Sequence, residues 1–194
     1  MPVEIEMRAR FDEATRDRLI ARLEREGSDL GRDDKQIYFY TFPDKLLKVT
    51  DNITAGTAKI TLKHSKIGAG AAFPETEIGI SRADVPKAVE IFAVLGFAPL
   101  MHGAANLRHN YRFHGVEIAV KQSKAWGHHA ELEVLLADGS SPAAQQEAIE
   151  RITEVAKELG LVLMTEQELA DFTAAFEREQ AARNAASTEV LPQT

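Results

Sequence analysis

Glu4-Ile5-Glu6, Glu75-Thr76-Glu77 and Glu131-Leu132-Glu133 each set two carboxylates two residues apart. In an extended strand such residues point to one face. Val3, Ile5 and Met7 flank the first pair, and Leu132 and Val134 flank the third. Those strands therefore present an apolar face to a core and a charged face elsewhere. Carboxylates crowded on one face are costly unless they meet water, opposite charge or a cation. Basic residues follow the same alternation: Arg8 and Arg10 continue the first strand, Lys59, Thr61 and Lys63 line a second, and Arg108, Asn110 and Arg112 a third. Two arrangements answer this pattern. One is a solvated outer sheet face with cross-strand ion pairs. The other is a curved sheet or barrel with an ion-filled inner face, which suggests a site for a metal-bound polyanion.

The elements that would carry these residues can be read in order. Residues 3–11 alternate as a strand, and Asp12 caps a helix over about residues 13–26 that stops at Gly27. Strands follow at Lys35–Phe42, Leu46–Asp51 and Ala58–Ser65, a loop at 66–72, and a strand at Glu75–Ile80. A helix near 83–95 ends at Gly96. Leu107–Phe113 and Val116–Gln122 form a hairpin around His114-Gly115, and Ala130–Leu136 is the next strand. Helices run from Pro142 to Leu159 and from about Thr165 to Arg183, followed by a polar tail, 184–194, expected to be disordered. The order β-α-β-β-β-β-α-β-β-β-α-α, with short connections, predicts one mostly antiparallel α+β domain over residues 1–183.

Composition narrows the function. A chain of 194 residues with 44% hydrophobic content can bury a sizeable core. A net charge of −7 argues against a nucleic-acid partner but allows a locally basic cavity. With no cysteine there are no disulfides, thiolate metal sites or cysteine nucleophiles. The N-terminal MPVEIEMRAR does not read as a signal peptide, and no apolar run is long enough to span a membrane. A cytoplasmic protein is expected. Gly68 and Gly70 lack the Gly-Lys-Ser/Thr element of a phosphate loop. Adjacent His128 and His129 face opposite ways and do not share an ion. Trp126 is expected to pack at a rim, with no second aromatic to complete a clamp on a base.

Several segments form an ordered series: Glu4-Ile5-Glu6-Met7-Arg8, Lys35-Gln36-Ile37-Tyr38-Phe39, Leu47-Lys48-Val49, Thr61-Leu62-Lys63 and Glu75-Thr76-Glu77. It continues with Leu95-Gly96-Phe97, Arg108-His109-Asn110-Tyr111 and Gly127-His128-His129-Ala130-Glu131-Leu132-Glu133. Over about residues 3–180 the chain resembles the CYTH superfamily, or triphosphate tunnel metalloenzymes, which includes class IV adenylate cyclases and thiamine triphosphatases. The resemblance implies a closed or nearly closed antiparallel β-barrel with helices outside. It implies a triphosphate or polyphosphate small molecule inside, with Mg²⁺ or Mn²⁺ on Glu4, Glu6, Glu131 and Glu133. It puts Arg8, Lys48, Lys63 and Arg108 against phosphate, with Arg8 and Lys63 at the reacting centre. Arg10, Lys59 and Arg112 share the inferred faces by alternation.

Four positions depart from the family pattern. Arg8 stands where the family has Lys, Lys48 where it usually has Arg, and Thr50 where a second basic residue is common. Lys121 stands where the family has an Asp that helps to hold the metal. Arg8 stays protonated, so it binds charge but serves poorly as a base. Alternation sets Glu117, Ala119 and Lys121 opposite Ile118 and Val120. The Lys121 amino group is therefore expected inward, within reach of Glu133, Glu6 or a bound phosphate. The leading expectation is a metal-dependent triphosphate hydrolase. The alternatives are a phosphate-metabolite binding module without turnover and a class IV-type adenylate cyclase.

Overall fold

The computed structural model describes residues 3–67, 70–137 and 141–189, with the side chains of 184–189 excepted. Its strands are β1 Val3–Arg10, β2 Ser28–Arg32, β3 Lys35–Thr41, β4 Leu46–Asn52, β5 Thr57–Lys63, β6 Ala72–Ile80, β7 Met101–Phe113, β8 Val116–Ser123 and β9 Gly127–Leu136. The helices are α1 Glu13–Glu26, α2 Val85–Val94, α3 Pro142–Glu158 and α4 Glu166–Glu189. Hydrogen bonding runs β7-β3-β4-β5-β6-β1-β9-β8 and back to β7, closing an antiparallel barrel of eight strands. β2 is an extra strand laid along β7 beyond β3. The closure removes every free edge from the eight.

Period-2 alternation sorts the side chains. Outward-facing Ile5, Ala9, Tyr111, Phe113, Ile118, Val120 and Leu132 are buried with Leu19 and Leu23 of α1 and Ile152 and Val155 of α3. Each such aliphatic chain removed from water contributes about 1.5–3 kcal/mol before entropy is counted. A second cluster sets Tyr40 and Val49 against Val85 and Ala88 of α2, with the Tyr40 and Phe92 rings 5.2 Å apart, edge to face. Asp12 caps α1 by accepting from the Thr15 amide at 2.8 Å, and Ser141 caps α3 by accepting from Ala144. With the helices holding the outer faces, the inner faces are left to the ions.

The expected hairpin forms between β7 and β8. Phe113 and Val116 are paired, and the linking residues His114 (φ 48°) and Gly115 (φ 77°) both take the left-handed conformation that two-residue hairpin turns require. Four differences have physical reasons. β2 was not expected, because Ser-Asp-Leu-Gly-Arg shows no apolar alternation and exists only through its bonds to β7. β7 begins at Met101 rather than Leu107, its first half being held by β3. β6 begins at Ala72 rather than Glu75, where Val3, Glu4 and Ile5 of β1 pair with residues expected in a loop or before the strand. α4 continues past Arg183 to Glu189, consistent with the helix propensity of its alanines. Gly68 and residues 190–194 of the expected tail lie outside the described residues. Among the described residues, no helix is long and apolar enough to cross a membrane.

Candidate functional site

Strand register builds the site. On β1 and β9, Glu6 stands opposite Glu133 and Arg8 opposite Glu131. On β5 and its neighbours, Lys63 faces Glu75 and Thr61 faces both Lys48 and Glu77. Arg108 of β7 stands opposite Lys121 of β8. These inward side chains are mostly buried, so each charge needs a partner inside the tunnel. Lys63 Nζ meets Glu4 Oε2 at 2.9 Å, Glu75 Oε1 at 2.8 Å and Glu6 Oε2 at 3.3 Å. Arg8 pairs with Glu6 and, through Nε, with Glu131 Oε1 at 3.2 Å. Arg108 spans Glu133 (3.3 Å), Glu131 (3.6 Å) and Asp33 (3.6 Å).

Lys48 is the exception. Among the described residues no carboxylate oxygen lies within 4 Å of its Nζ. Burial, reinforced by the nearby Lys63 ammonium, lowers the Lys48 pKa to about 8. Lys63 behaves oppositely: burial opposes its charge, but Glu6, Glu4 and Glu75 override that and hold the ammonium firmly protonated. Burial also pushes the Glu133 carboxyl up to about 8, with Glu6 and Glu131 adding to the rise against the pull of Arg108. Glu131 is held well below the usual carboxylate range, because Lys121, Arg8 and Arg108 together outweigh its burial.

The second-rank cations sit away from this centre. Arg10 is exposed, its guanidinium 4.4 Å from the Phe172 ring centroid and its Nε donating to the Trp126 carbonyl at 3.2 Å. Lys59 is exposed and pairs with Glu77. Arg112 is 58% exposed and reaches Glu117 only at 3.8 Å. A cavity of about 370 Å³ lined by Lys35, Thr50, Asn52, Lys59 and Glu77 opens on the inner faces of β3 to β6. Lys35, held to Asp33 at 2.6 Å, was missed as a site residue. Its inward neighbours Ile37 and Phe39 are not ionic, so alternation of charge gave no sign of it. Glu75 was recognised as part of an acidic pair but not as the third carboxylate on Lys63.

The expectation for Trp126 needs correcting. A second aromatic is present: Phe172 of α4 lies 4.5 Å away, ring to ring, and His129 lies 5.4 Å away. Trp126 and Phe172 pack on each other beside Arg10. His129 is buried and His128 is not, in line with their opposite directions on β9. Burial, with help from Lys121, lowers His129 to about 4, so its ring is neutral near pH 7.

A family model described as the CYTH domain matches residues 3–164. The chain belongs to the CYTH family. A comparison with curated proteins finds no match. Solved structures share the fold. A conserved hypothetical protein from Pyrococcus furiosus is 26% identical, with TM-score 0.66 over 82% of this chain and 91% of that one. The PH1819 protein from Pyrococcus horikoshii OT3 is 20% identical, with TM-score 0.68 over 86% and 97%. HpAC1 from Hippeastrum, a proposed adenylyl cyclase with a dominant triphosphatase activity, is 16% identical, with TM-score 0.58 over 84% and 90%.

CYTH tunnel proteins generally depend on a divalent metal, and the donors present here fit one. Glu4, Glu6 and Glu133 each bring a carboxylate oxygen within 4.8 Å of the others, a set of hard oxygen donors suited to Mg²⁺ or Mn²⁺. Glu131 is not in that set. Lys121 does turn inward, as alternation required, but its Nζ meets Glu131 Oε2 at 2.6 Å rather than Glu133 or Glu6. Register explains the choice: Lys121 lies beside His129, one inward position from Glu131, whereas Glu133 lies beside Glu117.

Proposed function

We propose that this CYTH protein is a divalent-metal-dependent hydrolase of an inorganic or organic triphosphate held inside the tunnel. The carrying observation is the setting of Glu4, Glu6 and Glu133 with Arg108, Lys63 and Lys48 on one closed inner wall. A triphosphate needs many donors, and Arg108 and Arg8 offer planar forks while Lys48 and Lys63 offer point charges. Mg²⁺ or Mn²⁺ on Glu4, Glu6 and Glu133 would supply charge neutralisation on phosphate oxygens.

The remaining steps fall to the chain's own residues. Arg8 cannot lose its proton, so it orients phosphate and does no acid–base work. Lys48, poised near pH 8 and with no carboxylate oxygen within 4 Å among the described residues, is the inner cation able to give a proton to a leaving phosphate oxygen. Lys63 is held by its three carboxylates and positions them as much as it binds phosphate. Arg10, Lys59 and Arg112 would guide the anion from outside. A cytoplasmic setting supplies both triphosphates and Mg²⁺.

Phosphate release from inorganic triphosphate, ATP and thiamine triphosphate, with Mg²⁺ and with Mn²⁺, tests this reading. Turnover of at least one supports it, and cyclic AMP with pyrophosphate from ATP would instead identify a cyclase. Binding without turnover would establish the non-catalytic module, a reading that Arg8 and the Lys121–Glu131 pair favour.

A further inference from the structure

Every carboxylate of the acidic wall meets a cation of the chain, Glu4 and Glu6 meeting Lys63, Glu6 also Arg8, and Glu133 Arg108, and it is geometry that divides the wall. Glu4, Glu6 and Glu133 bring oxygens together within 4.8 Å. Glu131 has both oxygens taken by cations of the chain itself: Oε1 by Arg8 Nε at 3.2 Å, and Oε2 by Lys121 Nζ at 2.6 Å and Arg108 Nη1 at 3.6 Å. Lys121 is 8% exposed, and Glu131 is the carboxylate within ion-pair reach of it among the described residues.

We propose that Lys121 is a resident cation that replaces a metal ion at Glu131, so that the tunnel takes one divalent ion, on Glu4, Glu6 and Glu133. The inference rests on the triphosphate-tunnel reading for the presence of a metal at all. Arg8 and Arg108 have second partners, Glu6 and Glu133, and can turn toward an incoming phosphate while keeping one contact to the wall. Lys121 has no second carboxylate oxygen within 4 Å among the described residues. A divalent ion at Glu131 would have to displace a buried ammonium and then stand among the charges of Lys121, Arg8 and Arg108, all of the same sign. The ammonium places positive charge at that point of the wall, but it coordinates nothing. Any nucleophile or phosphate oxygen near Glu131 is then attracted by Lys121 without being ligated.

Titration of the full chain with Mn²⁺ alone, followed by calorimetry and by the electron paramagnetic resonance of free Mn²⁺, decides this. The wild type should take one Mn²⁺ per chain, and Lys121→Asp, which returns a carboxylate, should take two. Lys121→Gln, which only removes the charge, should bind the first ion about tenfold or more tightly. Circular dichroism establishes folding, and Lys121→Gln decides if the Asp variant fails to fold. Two ions on the wild type, or folded variants that bind as the wild type does, overturn the proposal while leaving the triphosphatase reading intact. A wild type that binds no Mn²⁺ yet releases phosphate from triphosphate also overturns it. A wild type that binds no Mn²⁺ and releases no phosphate removes both readings together.

Discussion

Replacing Glu133 by Gln should make the metal-free protein more stable, although it removes a candidate metal ligand. The folded carboxyl titrates near 8 against an ordinary 4.5. Below pH 4.5 folded and unfolded chains both hold the proton. Between 4.5 and 8 the unfolded chain releases it while the folded chain keeps it, so stability falls by about 1.4 kcal/mol per pH unit and levels off above 8. At pH 7 the accumulated cost approaches ~3 kcal/mol, a ceiling because water entering the tunnel screens the charges. Gln keeps an acceptor for Arg108 and carries no titrating proton. For a chain of this length, ~3 kcal/mol corresponds to a Tm gain on the order of 5–10 °C. Thermal unfolding with chelator at pH 5, 6, 7, 8 and 9 should show the gap between variant and wild type widening up to pH 8 and then holding. With saturating Mg²⁺ the order should reverse, because only the wild type gains the mass-action stabilisation of a full ligand set. Parallel pH profiles in chelator, or a variant less stable at every pH, would refute the electrostatic reasoning.

Lys48→Met should likewise stabilise the protein without ligand, by about 1–3 kcal/mol near pH 7, since a buried ammonium held to about 8 opposes folding below that pH. It should also abolish most of the Tm rise that triphosphate gives the wild type, about 2.7 kcal/mol at 100 times the dissociation constant; a full rise in the variant would remove Lys48 from the phosphate side. Lys63→Ala should lose about 3–5 kcal/mol in urea unfolding, because Glu4, Glu6 and Glu75 are left facing one another. A loss under ~1 kcal/mol would mean water already screens that cluster. Phe172→Ala should cost about 1–3 kcal/mol through lost packing with Trp126 and Arg10, and should quicken hydrogen exchange along α4. Unchanged exchange there would show that this contact does not dock the helix.

The sequence by itself determined which residues share a face. Period-2 alternation is a local property of strands, so Glu4, Glu6 and Arg8 on β1, Lys59, Thr61 and Lys63 on β5, and Glu117, Ala119 and Lys121 on β8 could be assigned to one side before any partner strand was known. The Asp12 cap and the His114-Gly115 turn were legible for the same reason. The choice between a wet outer face and an ion-filled interior was not local, and the family resemblance pointed to the interior. Tertiary structure decided the contacts. β1 meets β9 more than a hundred residues away, and only that register sets Arg8 beside Glu131 and Glu6 beside Glu133. Pairing with β7 created β2, while Lys35 and Glu75 joined the ionic wall through neighbours distant in sequence. Lys121 shows the division most plainly. Its inward direction follows from alternation, but its choice of Glu131 over Glu133 follows from the β8–β9 register. A shift of two residues would preserve every face and exchange every ion-pair partner, because faces repeat with the strand's own period whereas partners are fixed by the strand opposite.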